Sequence, residues 1–158
     1  AVVAISLVMA LVLERRVRGT GMLPGAVRWS GILVFEGERS GFSAFALAVD
    51  VGFSGPVESA VSDELARDLE AVVTESVSNA VRHAGGTRVT VTVIASGEAV
   101  TVEVADDGKG IPDGGRRSGL RNLATRAELR GGAVELLPAD PGAERPGTVV
   151  RWSVPRRS

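Results

Sequence analysis

Glu75, Asn79 and His83 stand four residues apart in one stretch of the chain. On a helix, at about 100° per residue, they share a single strip. Leu65, Leu69, Val72, Val73, Val77, Ala80 and Val81 recur around them in the i, i+3, i+4 pattern of one buried face. A carboxylate, a carboxamide and an imidazole thus form a polar ledge on the shoulder of that face. Asn79 offers a neutral oxygen ligand and Glu75 a carboxylate. Magnesium keeps waters and phosphate oxygens and takes few protein ligands, so one or two such groups suffice. Arg82 and His83 are placed to face phosphate. A solvated Arg82 and a packing or capping His83 are the plainer alternatives.

A second group is Asp106-Asp107-Gly108-Lys109-Gly110, at the end of an alternating apolar run. A carboxylate at a strand end is an acceptor, and glycines just after it let the backbone approach a flat ligand. Such an acceptor matches the exocyclic amino group of adenine. Guanine presents a carbonyl oxygen there, so a purine bound at this motif is adenine. The alternative is an ordinary Asp-Gly turn. Gly119 precedes a second helical pattern, and a helix start offers free N–H groups to phosphates.

Other chemistries are excluded or unsupported. There is no cysteine, hence no disulfide, thiolate nucleophile or cysteine-bound zinc. His83 is the single histidine, so no site takes two imidazoles from this chain. The net charge of −1 and the scarcity of aromatic residues give no nucleic-acid signature. No Walker A pattern occurs, because Gly108-Lys109 is followed by Gly110, and neither a dinucleotide fingerprint nor a nucleophile elbow reads through.

The elements that must position these groups begin near Phe45. Phe45, Leu47, Val49, Val51 and Phe53 alternate as a half-buried strand, ended by Ser54-Gly55-Pro56. Ser62 is a helix N-cap with Asp63 and Glu64 in the first turn, and the helix runs to about His83, stopping at Gly85-Gly86. Val89–Val93 and Val100–Val104 alternate as strands around a Ser96-Gly97-Glu98 hairpin turn. Leu120, Leu123, Ala124 and Ala127 mark a second helix, ended by Gly131-Gly132. Val134–Leu137 and Thr148–Val154 read as the last strands, joined by a proline- and glycine-rich loop. This order predicts an α/β (α+β) two-layer sandwich, its sheet mixed and mostly antiparallel, with helices on one face. Residues 1–44 stay unassigned and 156–158 form a tail. Ala1–Leu13 is almost wholly apolar and is followed by Glu14, Arg15, Arg16 and Arg18. It reads equally as a buried element or as the end of a truncated membrane anchor with its arginines on the cytoplasmic side.

Taken together, the motifs are specific. Glu75-x-x-x-Asn79-Ala80-Val81-Arg82-His83 resembles the N box of the histidine-kinase ATPase superfamily, and Asp106-x-Gly108-x-Gly110 its G1 box. Ser118-Gly119-Leu120-x-Asn122-Leu123, followed by Arg126-Ala127 and Gly131-Gly132, is similar to the G2 region of nitrate-sensor kinases. Gly147-Thr148 is similar to the family's closing Gly-Thr element. With Phe53-Ser54-Gly55-Pro56-Val57, residues 45–155 resemble the DevS/DosS type of sensor kinase.

That resemblance implies the Bergerat fold and an ATP-binding catalytic domain. Asp106 would hold the adenine amino group, supported by Thr148. Asn79 would coordinate magnesium, with Glu75 in the outer shell or polarising the transfer. Gly108, Gly110, Gly119 and Leu120 would shape the nucleotide pocket, and residues 111–118 would be a short lid. The γ-phosphoryl group would pass to a histidine on a helical dimerisation domain and onward to a response regulator. The setting would be cytoplasmic, in a homodimeric kinase. Two departures qualify this. Arg117-Ser118-Gly119 stands where the family usually has Gly-x-Gly. The family's phosphoacceptor lies in a separate upstream segment, whereas His83 belongs to the N box, so this chain should bind ATP without autophosphorylating. The rival reading is a nucleotide-dependent interaction module, an anti-sigma-type switch or a degenerate kinase.

Overall fold

The computed structural model describes residues 27–36, 44–81, 85–110 and 118–156. Six strands form one sheet: β1 (Val27–Glu36), β2 (Ala44–Ser54), β3 (Arg88–Ala95), β4 (Ala99–Asp106), β5 (Ala133–Leu137) and β6 (Thr148–Pro155). Their spatial order is β1-β2-β3-β4-β6-β5. β2 and β3 are parallel and every other pair is antiparallel. The parallel pair needs a crossover, which carries α1 (Val57–Ala60) and α2 (Asp63–Asn79). The third helix, α3 (Ser118–Leu129), links β4 to β5.

The core lies on one side of this sheet. Leu47, Val49 and Val51 of β2, Val89, Val91 and Val93 of β3, Val100, Val102 and Val104 of β4, and Val150, Trp152 and Val154 of β6 are all buried. Strict alternation puts each set on one face. Leu65, Leu69, Val72, Val73 and Val77 of α2 and Leu123 and Ala127 of α3 cover it. The Trp152 indole N–H donates to the Leu123 carbonyl at 3.1 Å, which fixes α3 on β6. The opposite face is polar. Asp50 accepts from the Ser30 hydroxyl at 2.5 Å and from Arg88 at 2.7 Å, and Arg151 bridges Glu103 at 2.7 Å and Glu135 at 3.2 Å.

Helix boundaries follow local chemistry. The Ser62 hydroxyl accepts from the Leu65 N–H at 3.2 Å, as its N-cap role predicts. At the other end the Ala80 N–H is shared between the Ser76 and Val77 carbonyls. The predicted extension to His83 falls on residues 82–84, outside the described residues. α3 ends where Gly131 takes φ +74° and the Gly132 N–H reaches back to the Ala127 carbonyl at 2.8 Å.

Two elements depart from expectation. β1, within a stretch given no element from sequence, pairs with β2 over ten positions, from Val27 opposite Phe53 to Glu36 opposite Ala44. It is an edge strand in which Val27, Trp29, Leu33 and Phe35 alternate about Gly31, a period that the glycine interrupts. The single turn α1 follows Pro56. The apolar run 1–13 lies outside the described residues, and among those described no helix is long and apolar enough to cross a membrane.

Candidate functional site

Asp106 continues the face of Val100, Val102 and Val104, because side chains two apart share a side. Thr148 likewise continues the face of Val150, Trp152 and Val154. Strand register sets Val49 opposite Val89, Val89 opposite Asp106, and Asp106 opposite Thr148. One row across the helix-covered face therefore runs apolar, apolar, carboxylate, hydroxyl.

Asp106 Oδ1 accepts from the Gly108 N–H at 2.8 Å. Burial pushes its carboxyl above the ordinary aspartate value of 3.8, against the pull of the Gly108 and Thr148 N–H groups, and neighbouring Asp107 adds to the rise. At neutral pH it is an under-solvated acceptor, ready to exchange water for a donor. The Gly147 N–H bonds the Gly108 carbonyl at 2.9 Å. Gly147 holds φ +61°, and a Cβ there would run into the Asp106 carbonyl oxygen. Gly110 lies against Pro146, where a Cβ would come within 2.8 Å of the ring. Side-chain-free backbone thus borders Asp106, and its donor-seeking carboxylate fits an adenine amino group.

Asp107 points the other way and does different work. It accepts from the Thr87 N–H at 2.8 Å, the Thr87 hydroxyl at 2.9 Å and the Arg88 N–H at 3.0 Å. These bonds fasten the start of β3 to the end of β4. Desolvation pushes its carboxyl up, but the Arg88 and Thr87 donors outweigh that and hold it below the ordinary 3.8. Asp107→Ala should cost about 1–3 kcal/mol, toward the lower figure because the site is exposed. A depressed native pKa gives stability that is complete above 3.8 and lost as pH falls through the lower native value. Thermal melts should therefore show a constant gap between wild type and variant from pH 7 to about 4, closing in stronger acid.

The helices supply the rest. Glu75 and Asn79 are half-buried on one strip of α2, flanking buried Ser76, Val77 and Ala80, as their spacing predicts. Gly119 lies in the first turn of α3 and not before it, because the helix starts at Ser118, two residues earlier than the sequence suggests. A Cβ on Gly119 would collide with the Glu75 carboxylate. Two turns away Asp68 binds Arg126 at 2.7 Å and Arg130 at 2.5 Å. α2 and α3 are thus antiparallel, with Glu75 level with Gly119 and Asp68 level with Arg126. Leu120 packs partly buried against the core.

Chain connectivity brings the two groups to one end of the sheet. Val81 and Gly85 are four residues apart, so their Cα atoms lie within about 14 Å. Gly86 in turn abuts Asp107, whose carboxylate a Cβ there would strike. The end of α2, with Asn79, therefore lies at the Asp106 end of β4. Arg82, His83, Arg117 and the lid residues 111–117 fall outside the described residues, and Ser118, counted with the lid from sequence, opens α3. Among the described residues no three His, Asp or Glu side chains gather as a metal cluster.

Sequence reasoning missed Asp107 and Arg145, whose guanidinium donates to the Gly85 carbonyl at 2.6 Å. Parity was the available signal for the first: only one of two adjacent aspartates can share a face with Val104. No spacing signals the second.

Residues 64–158 match the family model described as histidine kinase-, DNA gyrase B-, and HSP90-like ATPase. The sensor-type histidine kinase PrrB of Mycobacterium leprae is 30% identical over 105 residues, covering 55% of this chain and 23% of that protein. The crystal structure of the ATP binding domain of PrrB from Mycobacterium tuberculosis superimposes with a TM-score of 0.50 at 23% identity, covering 75% of this chain and 78% of that one. The mycobacterial sensor histidine kinase MprB gives a TM-score of 0.49 at 25% identity, covering 58% of this chain and 74% of that one. The chain thus spans about a quarter of the curated relative's length.

Proposed function

The chain belongs to the histidine kinase-, DNA gyrase B-, and HSP90-like ATPases, and on that premise we propose that it is the Mg-ATP-binding catalytic domain of a sensor histidine kinase, of the DevS/DosS type. The single observation that carries this reading is the half-buried Asp106 carboxylate, set between Val89 and Thr148 on the helix-covered face and bordered by side-chain-free backbone. In this reading Asp106 accepts from the adenine amino group and Thr148 lines the same row. Asn79 lends its carboxamide oxygen to magnesium. Glu75, held at the first turn of α3, orients or polarises the transfer. Leu120, Gly108 and Gly110 shape the pocket, with Arg82 and His83 toward the phosphates. Bound Mg-ATP supplies the phosphoryl group and the charge that neutralises its oxygens; the chain contributes positioning.

The acceptor is a histidine on a helical dimerisation domain outside this chain, and a response regulator receives the group next. The intact kinase is a homodimer working on the cytoplasmic side, where ATP is available. The name of the Mycobacterium leprae relative, a sensor-type histidine kinase, supports this assignment. The rival, nucleotide binding without transfer, draws on Arg117 in the family's Gly-x-Gly position. Mixing the chain with a phosphoacceptor domain and γ-labelled ATP separates the two. Labelled histidine is expected, and its absence under all conditions rejects the kinase reading.

Gly119→Ala tests the role of Glu75. The clash is with the tip of a flexible side chain, so the carboxylate swings away and the fold survives. Alanine in place of a first-turn glycine improves helix stability by at most about 0.5–1 kcal/mol. The melting temperature should hold or rise while the transfer rate in the reconstituted assay falls, by about 10²- to 10⁴-fold if Glu75 supplies general-base help. Unchanged transfer would remove Glu75 from the machinery.

A further inference from the structure

We propose that Arg145 is a positioning residue for the Asp106 pocket, latching the loop between β5 and β6 to the backbone that follows α2; the inference rests on the nucleotide reading above. Three backbone strips meet beside Asp106: residues 85–88, 106–110 and 145–148. Each junction is bridged. Asp107 binds the Thr87 and Arg88 N–H groups. The Gly147 N–H bonds the Gly108 carbonyl. The third junction is closed by Arg145, whose Nη2 donates to the Gly85 carbonyl at 2.6 Å. The contacts form a closed circuit, and Arg145 is the one member on a long, exposed side chain.

The loop behind Arg145 is braced within itself. The Asp140 N–H bonds the Pro146 carbonyl at 2.8 Å, the Ala143 N–H bonds the Asp140 carbonyl at 3.2 Å, and the Gly142 N–H bonds Asp140 Oδ1 at 3.2 Å. A loop closed on itself moves as a unit, about its ends. One end is Gly147, whose N–H and close approach to Asp106 define the pocket edge. Releasing Arg145 frees the loop to shift at that edge without touching the core. The Lys109 side chain lies near Gly85 as well: a Cβ on Gly85 would be 3.9 Å from both the Lys109 and Arg145 side chains. An exposed guanidinium–carbonyl bond adds little to global stability, so its effect is expected in the pocket.

The test compares wild type, Arg145→Ala and Arg145→Lys by calorimetry with ATP and with ADP, each with magnesium chloride. Arg145→Ala should weaken both nucleotides by the same factor, about three- to tenfold, at an unchanged melting temperature. Arg145→Lys keeps a cationic donor and should recover most of the loss. Equal affinities in wild type and Arg145→Ala overturn the proposal. A loss confined to ATP also overturns it, because that marks direct contact with the terminal phosphate. Should wild type bind neither nucleotide, the nucleotide reading fails, and amide exchange of the free protein decides the latch. Faster exchange at Thr87, Arg88 and Gly147 in Arg145→Ala then supports it, and unaltered exchange overturns it.

Discussion

Asp106→Asn should weaken ATP binding by roughly 10- to 150-fold, the worth of one charge-assisted hydrogen bond of about 1.5–3 kcal/mol. The same change should leave the protein as stable at neutral pH, or more so. Both outcomes have one cause. The carboxylate sits between Val89 and Thr148 on the helix-covered face, and burial raises its pKa above 3.8. A raised native pKa is a stability contribution present in full below 3.8 and lost as pH climbs through the higher native value. At pH 7 the native protein therefore carries the cost of an under-solvated charge. A carboxamide removes that charge and keeps an oxygen for the Gly108 N–H. The stability advantage of asparagine should be present at pH 7 and shrink as pH falls through the raised native value, vanishing only well below 3.8, where the aspartate is neutral in both states.

Selectivity should move with affinity. A carboxylate only accepts, so it opposes the carbonyl oxygen of guanine. A carboxamide can turn its amino group toward that oxygen. Calorimetry with ATP and GTP on both proteins should show the preference narrowing because ATP loses and GTP does not. A variant that keeps the wild-type ratio would detach Asp106 from the base, whatever its stability.

Most of the frame, and the place of Asp106 within it, could be read from the sequence. Strand parity places Asp106 on the helix-covered face through Val100, Val102 and Val104, and register with β3 and β6 then surrounds it. Ser62, the Ser96-Gly97-Glu98 turn and Gly131-Gly132 mark element ends because each satisfies backbone groups locally. What did not show were features made by tertiary contact. β1 pairs with β2 over its whole length, and its alternation of Val27, Trp29, Leu33 and Phe35 is broken by Gly31 and by the apolar Ile32 and Val34 on the other parity. The Glu75–Gly119 approach spans 44 residues of sequence and depends on how two helices pack. Asp107 looks identical to Asp106 as a residue type, yet the pleat sends it to the other side, where it staples β3 to β4.

Asn79→Ala should abolish the magnesium-dependent part of ATP binding while leaving the fold intact. Asn79 is half-buried on the ledge of α2, and alanine there is the better helix former by a few tenths of a kcal/mol. Loss of an outer-shell partner typically costs 10–100-fold in metal affinity, so loss of a direct ligand should reach roughly 100-fold or beyond. Calorimetry with magnesium and with EDTA makes the distinction. In wild type magnesium should strengthen binding; in Asn79→Ala the two conditions should give nearly the same weak affinity. A retained magnesium effect would assign the metal elsewhere. Asp106→Asn, by contrast, should weaken binding by the same factor in both conditions, because the base end does not involve the metal. If one residue serves the base and the other the metal, with no shared partner, their free-energy losses should add in the double variant within about 0.5 kcal/mol. A larger departure would mean that the base and phosphate ends are coupled through the protein.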